Sequence, residues 1–474
     1  MSKKIKPIWS GGNVHPSSPN KVFCTAPWTH TYISPQSERR MCCASREEHK
    51  FQKQYIDASN DERYGKVKES GTIEDYKANI VTLKEHWNSP YMMDIRKKLM
   101  AGEKIPQCDV CNDNLLSQSN YRQWFTGFLF EDKIDECFDS TDENGYTTME
   151  PISFDYRVSN LCNFKCRMCG EQLSSSWEAE KRKEGHWSPE NQPFMVPENK
   201  KIIEKFQKEV VEEEFWDSIC RGIVEEIYWV GGEPLMYDIH WRSMNRLAED
   251  NNLHKVHLRY NSNLSRVRYG KHYLYDWLPQ AKDWTMCASI DGIGEIGEFI
   301  RTGLVWEEWD KNFREGVALP GGNDKMLMDL TLTGPGLFGL REFVEYALEL
   351  DVKIETKNMF AFHPDIVFSF MSWPRHILDR IVRGLIEELT PIITPKQQTL
   401  INQLNQILAT PTFEEKFPDT HEDQFFNGRQ WQREIARMRN DGGNGASITI
   451  EEIYSADQEL WDWWSRPDPK HNSR

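Results

Sequence analysis

The chain lacks any apolar run approaching ~18 residues, so no transmembrane helix is expected. Its start, Met1-Ser-Lys-Lys-Ile-Lys-Pro7, is charged but no apolar stretch follows, so no secretory signal peptide is expected. A basic excess is also missing: 58 Lys and Arg face 74 Asp and Glu, a net charge of −16. A general nucleic-acid surface or an anionic-membrane surface needs such an excess, so neither is an expected partner. There is no evenly spaced disulfide framework. The 11 cysteines are an odd number and fall in clusters, which fits metal sites in a reducing cytoplasm better than disulfides. No tandem repeat is present. What the chain does have is length and apolar bulk. Its 474 residues suffice for two or three domains, and 18 Trp with 23 Phe can fill substantial cores, which excludes a disordered chain.

Residues 1–20 are rich in Ser, Pro, Gly and Lys and read as a flexible lead-in. A first block, 21–146, carries six of the 11 cysteines and ends in an acidic linker around Asp142-Glu-Asn-Gly145. A second block, 147–375, alternates strands and helices. Strands are predicted at Ile152–Val158, Val224–Val230, His254–Asn261, Trp284–Ile290, Met326–Leu332 and Val352–Asn358. Helices are predicted between them, among them Ile239–Asp250, Phe299–Asn312 and Gly339–Leu350. Repeated β–α units imply an α/β fold with a parallel sheet, open or closed into a barrel, and active residues at the strand C-termini. The last block, 376–474, is mainly helical and ends in the Trp-rich run Leu460–Trp464. That run suits a lid or docking helix, but also a helix that buries its Trp residues against the rest of the domain.

The run Asn160-Leu-Cys-Asn-Phe-Lys-Cys-Arg-Met-Cys-Gly170 places Cys162, Cys166 and Cys169 at the spacing C-x3-C-x2-C. Random placement of 11 cysteines in 474 residues gives about 0.006 such triplets, so the spacing needs a reason. Asn163, Lys165 and Arg167 between them fit poorly with three buried structural thiols. Three thiolates on a short loop can hold three corners of a cubane iron–sulfur cluster and leave one iron open to a small molecule.

Three further segments follow predicted strands: Gly231-Gly-Glu-Pro-Leu235, Arg259-Tyr-Asn-Ser-Asn-Leu264, and Ala288-Ser-Ile-Asp-Gly292 with Glu298-Phe-Ile-Arg-Thr-Gly303. Alone, the first is an ordinary tight turn and the second an Asx turn. Together with the triplet they resemble the radical S-adenosylmethionine (radical SAM) enzymes. The resemblance implies a partial (β/α)6 TIM-like barrel and a [4Fe–4S] cluster on Cys162, Cys166 and Cys169. The open iron of that cluster chelates S-adenosylmethionine. By the same resemblance Gly231, Gly232, Glu233 and Pro234 bind the SAM amino group, Ser262 and Asn263 lie near its ribose, and Ser289 and Arg301 hold its carboxylate. Asp291 contacts SAM or substrate, or only caps the next helix. Thr331–Gly334 would lie beneath the adenosine or the substrate. Met168 replaces the aromatic residue frequent before the third cysteine.

The first block contains Phe23-Cys24, Arg40-Met-Cys-Cys43 and Pro106-Gln-Cys-Asp-Val-Cys111. These cysteines, with the run Trp87-Asn-Ser-Pro-Tyr-Met92 ahead of Ile95-Arg96, resemble the SPASM/twitch auxiliary-cluster module, which here precedes the barrel instead of following it. The implied ligands of a second [4Fe–4S] cluster are Cys24, Cys42, Cys108 and Cys111, with Cys43 as alternative to Cys42. A zinc site of four thiolates uses the same C-x2-C turns and stays open as a reading. Cys137, Cys220 and Cys287 lack partners at ligand spacing and read as structural, and His30 as a core or surface histidine.

The resemblance implies an enzyme that reductively cleaves SAM to a 5′-deoxyadenosyl radical, which abstracts a substrate hydrogen. It implies a peptide or protein substrate and a cellular electron donor such as flavodoxin or ferredoxin. The alternatives are a sugar or other small-molecule substrate, and a non-enzymatic iron–sulfur or zinc scaffold that binds a partner protein. The resemblance spans about residues 22–111 and 152–375, and does not explain the helical end.

Overall fold

The structure is a computed structural model that describes residues 18–45, 82–112, 121–358, 367–443 and 445–468. The expected lead-in thus falls outside the described residues up to residue 17, as do parts of the N-terminal block and the last six residues. No described helix is long and apolar enough to cross a membrane. The chain forms two compact units.

The first unit comprises residues 1–160, 186–258 and 280–283. It holds β1 (His30–Ile33), β2 (Arg39–Arg40), β3 (Ser153–Tyr156) and β4 (Glu226–Trp229). β1 pairs antiparallel with β2 on one side and parallel with β3 on the other, and β3 pairs parallel with β4. Every residue of β1 and β3 is buried, as expected of parallel strands covered on both faces. The cysteine-rich N-terminal block therefore shares a sheet with the first of the sequence-predicted strands. It also shares a core, in which Phe23, Trp28, Met92, Leu99, Phe125 and Phe130 pack with Met149. Buried Arg96 ties this core together. Its guanidinium donates to the carbonyls of Trp87 at 2.7 Å and Pro27 at 2.9 Å and to Asn88 Oδ1 at 2.8 Å. Burial lowers its pKa to about 9. The helix that carries it, Pro90–Met100, is started by the Ser89 cap and by Pro90 in the first turn.

The second unit comprises residues 161–185, 259–279 and 284–474. The boundary runs through β5 (His257–Ser262), of which residues 259–262 belong here. β6 (Arg268–Tyr269) and β7 (His272–Tyr273) form a small antiparallel ribbon. β8 (Asp283–Ser289) and β10 (Lys353–Asn358) each pair parallel with β9 (Met326–Leu332). Trp284, Met286 and Ala288 are buried on one face of β8, while Thr285, Cys287 and Ser289 alternate onto the other. Across both units the main sheet has eight strands, with β2 as an edge in the first and β10 in the second. The six strands read from the sequence, β3, β4, β5, β8, β9 and β10, are all present, and the α/β class holds.

One expected element differs. The helix predicted over Phe299–Asn312 is two helices, Gly294–Ile300 and Trp306–Val317. The chain turns between them at Gly303, whose φ of 108° suits glycine; a Cβ there would sit 2.9 Å from the Asn163 carbonyl oxygen. The break releases Arg301 from helical geometry. In the C-terminal block the helices Arg375–Leu389, Gln398–Ala409, His421–Arg439, Ile450–Tyr454 and Gln458–Ser465 follow one another. Trp464 is fully buried, 5.0 Å from Tyr454, which in turn meets Trp373 at 5.7 Å. The Trp-rich end packs into its own unit, as the burial reading expects.

Candidate functional site

In the second unit the three cysteines sit on a loop that runs into the helix Ser175–Glu184. The serines opening that helix shape the loop. Ser174 Oγ caps the helix and donates to the Phe164 carbonyl at 2.6 Å, and Ser176 Oγ donates to the Cys162 carbonyl at 2.8 Å. Trp177 Nε1 donates to the Cys166 carbonyl at 2.8 Å. On the other side the amides of Lys165 and Arg167 donate to the carbonyls of Thr302 at 2.7 Å and Ile300 at 2.8 Å. The loop thus lies against the turn that carries Arg301. Cys166 is buried, and Cys162 and Cys169 are half-buried. Burial pushes the Cys166 thiol up to about 12, against the opposing pull of the Arg301 charge.

Several residues expected from the sequence converge on this loop. Arg301 Nη1 lies 3.9 Å from Cys166 Sγ, and Asn263 Nδ2 lies 3.8 Å from Cys162 Sγ. Arg301 Nε pairs with Asp291 Oδ2 at 2.6 Å, and the Thr331 amide donates to Asp291 Oδ1 at 2.8 Å. Burial, the largest single influence, works to lower the Arg301 pKa, but the charges of Asp291, Cys166 and Asp329 and the Asp291 hydrogen bond together outweigh it and raise it, so the guanidinium stays charged. Asp291 does not cap the next helix: that helix starts at Gly294, and its cap residue, Ile293, offers no side-chain hydrogen bond. Asn263 and Ser262 both form the local turns expected of them, their side-chain oxygens accepting from the Ser265 amide at 3.0 Å and the Leu264 amide at 2.9 Å. The Asn263 amide nitrogen is then directed at the cysteine loop. Ser289 ends β8 on the strand face shared with Cys287.

That strand face carries a polar cluster that the sequence reading passed over. Asn261 Nδ2 donates to Asp329 Oδ2 at 2.8 Å, and Lys357 Nζ pairs with Asp329 Oδ1 at 2.7 Å. Burial and the neighbouring Asp329 charge push the Cys287 thiol up to about 12. Period-two alternation in β8 and β9 was the signal that places these side chains together.

The Gly231–Pro234 segment belongs to the first unit and follows β4. Gly231 has φ 129°, and a Cβ there would stand 2.9 Å from the Tyr237 hydroxyl. That hydroxyl accepts from the Gly232 amide at 2.8 Å and donates to the Ser159 carbonyl at 2.6 Å. Glu233 is buried and accepts from the Leu235 amide at 3.0 Å, with Pro234 opening a short helical turn.

The second cysteine set also lies in the first unit. Cys24, Cys42, Cys108 and Cys111 line one cavity, together with Met41 and Arg122, and Cys43 is not in its wall. All four thiols are buried. Burial pushes Cys24 up to about 11 and Cys108 up to about 12, and raises Cys42 as well. Among the described residues no three ligating side chains converge as a single metal ion requires. The thiols ring a void instead. His30 is a core histidine, its Nδ1 2.7 Å from Ser153 Oγ. Cys137 is buried, whereas Cys220 is exposed.

No protein-family model and no curated protein matches the chain. Among solved structures it is similar to Streptococcus suis SuiB bound to S-adenosylmethionine, at 13% identity and a TM-score of 0.33 over 63% of this chain and 60% of that one. The likeness to SuiB alone is 12% and 0.34 over 65% and 64%. To SuiB bound to the precursor peptide SuiA it is 12% and 0.31 over 55% and 50%. The chain spans half to just under two thirds of the length of these neighbours.

Proposed function

We propose that the chain is a radical SAM enzyme that modifies a peptide or protein. The observation that carries this reading is the loop of Cys162, Cys166 and Cys169, with the Arg301 guanidinium and the Asn263 amide at two of its sulfurs. Thiolates flanked by cationic and amide donors suit a cluster ligated on one side only. Cys162, Cys166 and Cys169 would hold a [4Fe–4S] cluster, which would supply the electron for reductive SAM cleavage.

The chain's own residues bind and orient. Arg301, held charged by Asp291, is the partner for the SAM carboxylate, together with Ser289. Ser262 and Asn263 offer a hydroxyl and an amide to the ribose. Gly231, Gly232, Glu233 and Pro234 carry the family's amino-group motif. Asn261, Asp329 and Lys357 present donors and an acceptor that suit the polar groups of a peptide. In the first unit Cys24, Cys42, Cys108 and Cys111 would hold a second cluster. Four buried thiols around one cavity fit such a group, while a four-thiolate zinc site would use the same C-x2-C turn. A flavodoxin or ferredoxin would serve as electron donor.

Anaerobic reconstitution of the full chain tests the reading. Two clusters per chain and 5′-deoxyadenosine formed from SAM under reduction are expected. Iron at background, or no SAM cleavage in a well-reduced sample, would sink it.

A further inference from the structure

The helix His421–Arg439 ends at Asn440, whose left-handed conformation (φ 55°) turns the chain sharply. Three side chains of this corner reach the cysteine loop's supports. Arg439 is almost wholly buried and lies over the Trp177 ring at 4.3 Å. It donates to the Lys165 carbonyl at 2.8 Å and to Thr302 Oγ1 at 3.1 Å, and pairs with Glu180 at 2.9 Å. Asp441 pairs with Arg167, both side chains being fully removed from solvent. Arg167 also donates to the Phe299 carbonyl at 3.0 Å and stacks over the Phe299 ring at 4.0 Å. Arg437 adds an outer pair to Glu184 at 3.0 Å.

The pattern of contacts is specific. Lys165 and Arg167 flank Cys166, and Thr302 follows Arg301. Their two chain segments are already joined by the amides of Lys165 and Arg167. Arg439 bridges that same junction from outside, and its forked guanidinium satisfies acceptors on both segments and on the helix after the loop. A lysine offers one point charge and cannot span all three. Buried pairs of this kind add little net stability but select one arrangement when fully satisfied.

We infer that the helix His421–Arg439 and the turn after it act as a clamp, with Arg439 and Asp441 as positioning residues that hold Cys166 and Arg301 in register. This gives the helical end a task that the motif resemblance leaves without one. The consequence for catalysis rests on the proposed function; the geometry of the clamp does not.

The test measures iodoacetamide labelling of each cysteine by mass mapping in the full-length, metal-free chain. In Arg439→Met and Asp441→Asn, labelling of Cys162, Cys166 and Cys169 should quicken by roughly 5- to 10-fold, as local opening becomes easier. Cys24, Cys42, Cys108 and Cys111 should keep their rates. Arg439→Lys keeps a charge beside Glu180 and should restore only part of the protection. In the reconstituted chain, the same variants should release iron from the loop faster to a chelator. Unchanged labelling of the three loop cysteines, an equal rise at all seven, or full restoration by lysine would overturn the clamp. If Arg439→Met does not fold, Arg439→Lys and Asp441→Asn carry the test. If the loop holds no cluster, the labelling pattern still reads the clamp, so the two failures are distinguishable.

Discussion

In the first unit, Cys24, Cys42, Cys108 and Cys111 come from three separated stretches of chain, and every thiol is buried around one cavity. In the second, Cys162, Cys166 and Cys169 come from one short loop, and two of the three are half-exposed. The first set brings four thiols to one cavity whose wall is mostly apolar but includes Gln107 and Arg122, as would suit a centre that is saturated and shielded from reactants. The second has three thiols, a guanidinium near one sulfur and a carboxamide near another, and strand ends bearing further polar groups. The difference teaches that the number of thiols brought together and their access to solvent, more than cysteine count, distinguish the two sets.

The largest expected effect is on the second set. Cys166→Ala should take 5′-deoxyadenosine formation to background and remove about half of the reconstituted iron, measured by chromatography and iron assay. Cys108→Ala should remove the other half and leave SAM cleavage measurable; if it abolishes cleavage instead, the two centres are not separable as described. If Cys108→Ala releases zinc and no iron, the first site is a zinc site. Asp291→Asn leaves a buried guanidinium without its charge partner. It should destabilise the chain by about 3 kcal/mol in chemical denaturation and weaken SAM binding. Within the first set, Cys42→Ser should lose the second cluster's iron, while Cys43→Ser should retain it, because only Cys42 lines the cavity.

The smallest effect concerns pH and the first unit's core. His240 lies between Trp229 at 4.7 Å and Trp241 at 4.9 Å, and burial lowers its pKa from 6.5 to about 3. Its neutral form is the folded one. The unfolded chain therefore binds the extra proton between those values, and stability falls as pH drops below 6.5. The loss approaches ~1.4 kcal/mol per pH unit for this group, and His240→Leu should flatten the acid limb of a denaturation-versus-pH series by about one proton.

Much of the architecture was legible because its signals are local. Alternating apolar residues marked the strands, and the cysteine triplet marked its own loop. The helix over Phe299–Asn312 was misread because Gly303 is tolerated in a helical pattern, and nothing nearby in sequence reveals the close approach of Asn163. Asp291 offered a cap and a ligand reading equally. The cap reading failed because Asp291 meets Arg301 and the Thr331 amide, the latter 40 residues away. The placement of β1 beside β3 was likewise hidden, since the partners are more than 100 residues apart in sequence.

By itself the sequence determined which residues are chemically able: three thiols at cubane spacing, glycines after a strand, a carboxylate just after another strand and a guanidinium ten residues beyond it. These follow from residue type and short spacing, which hold whatever the rest of the chain does. The tertiary structure alone decided which of them meet. It put Cys42 and not Cys43 on the cavity wall, turned Arg301 onto Asp291 and Cys166, and brought Arg439 to Lys165 across 274 residues of chain. Such pairings depend on the packing of whole elements, and packing is a property of the assembled core that no local run of residues contains.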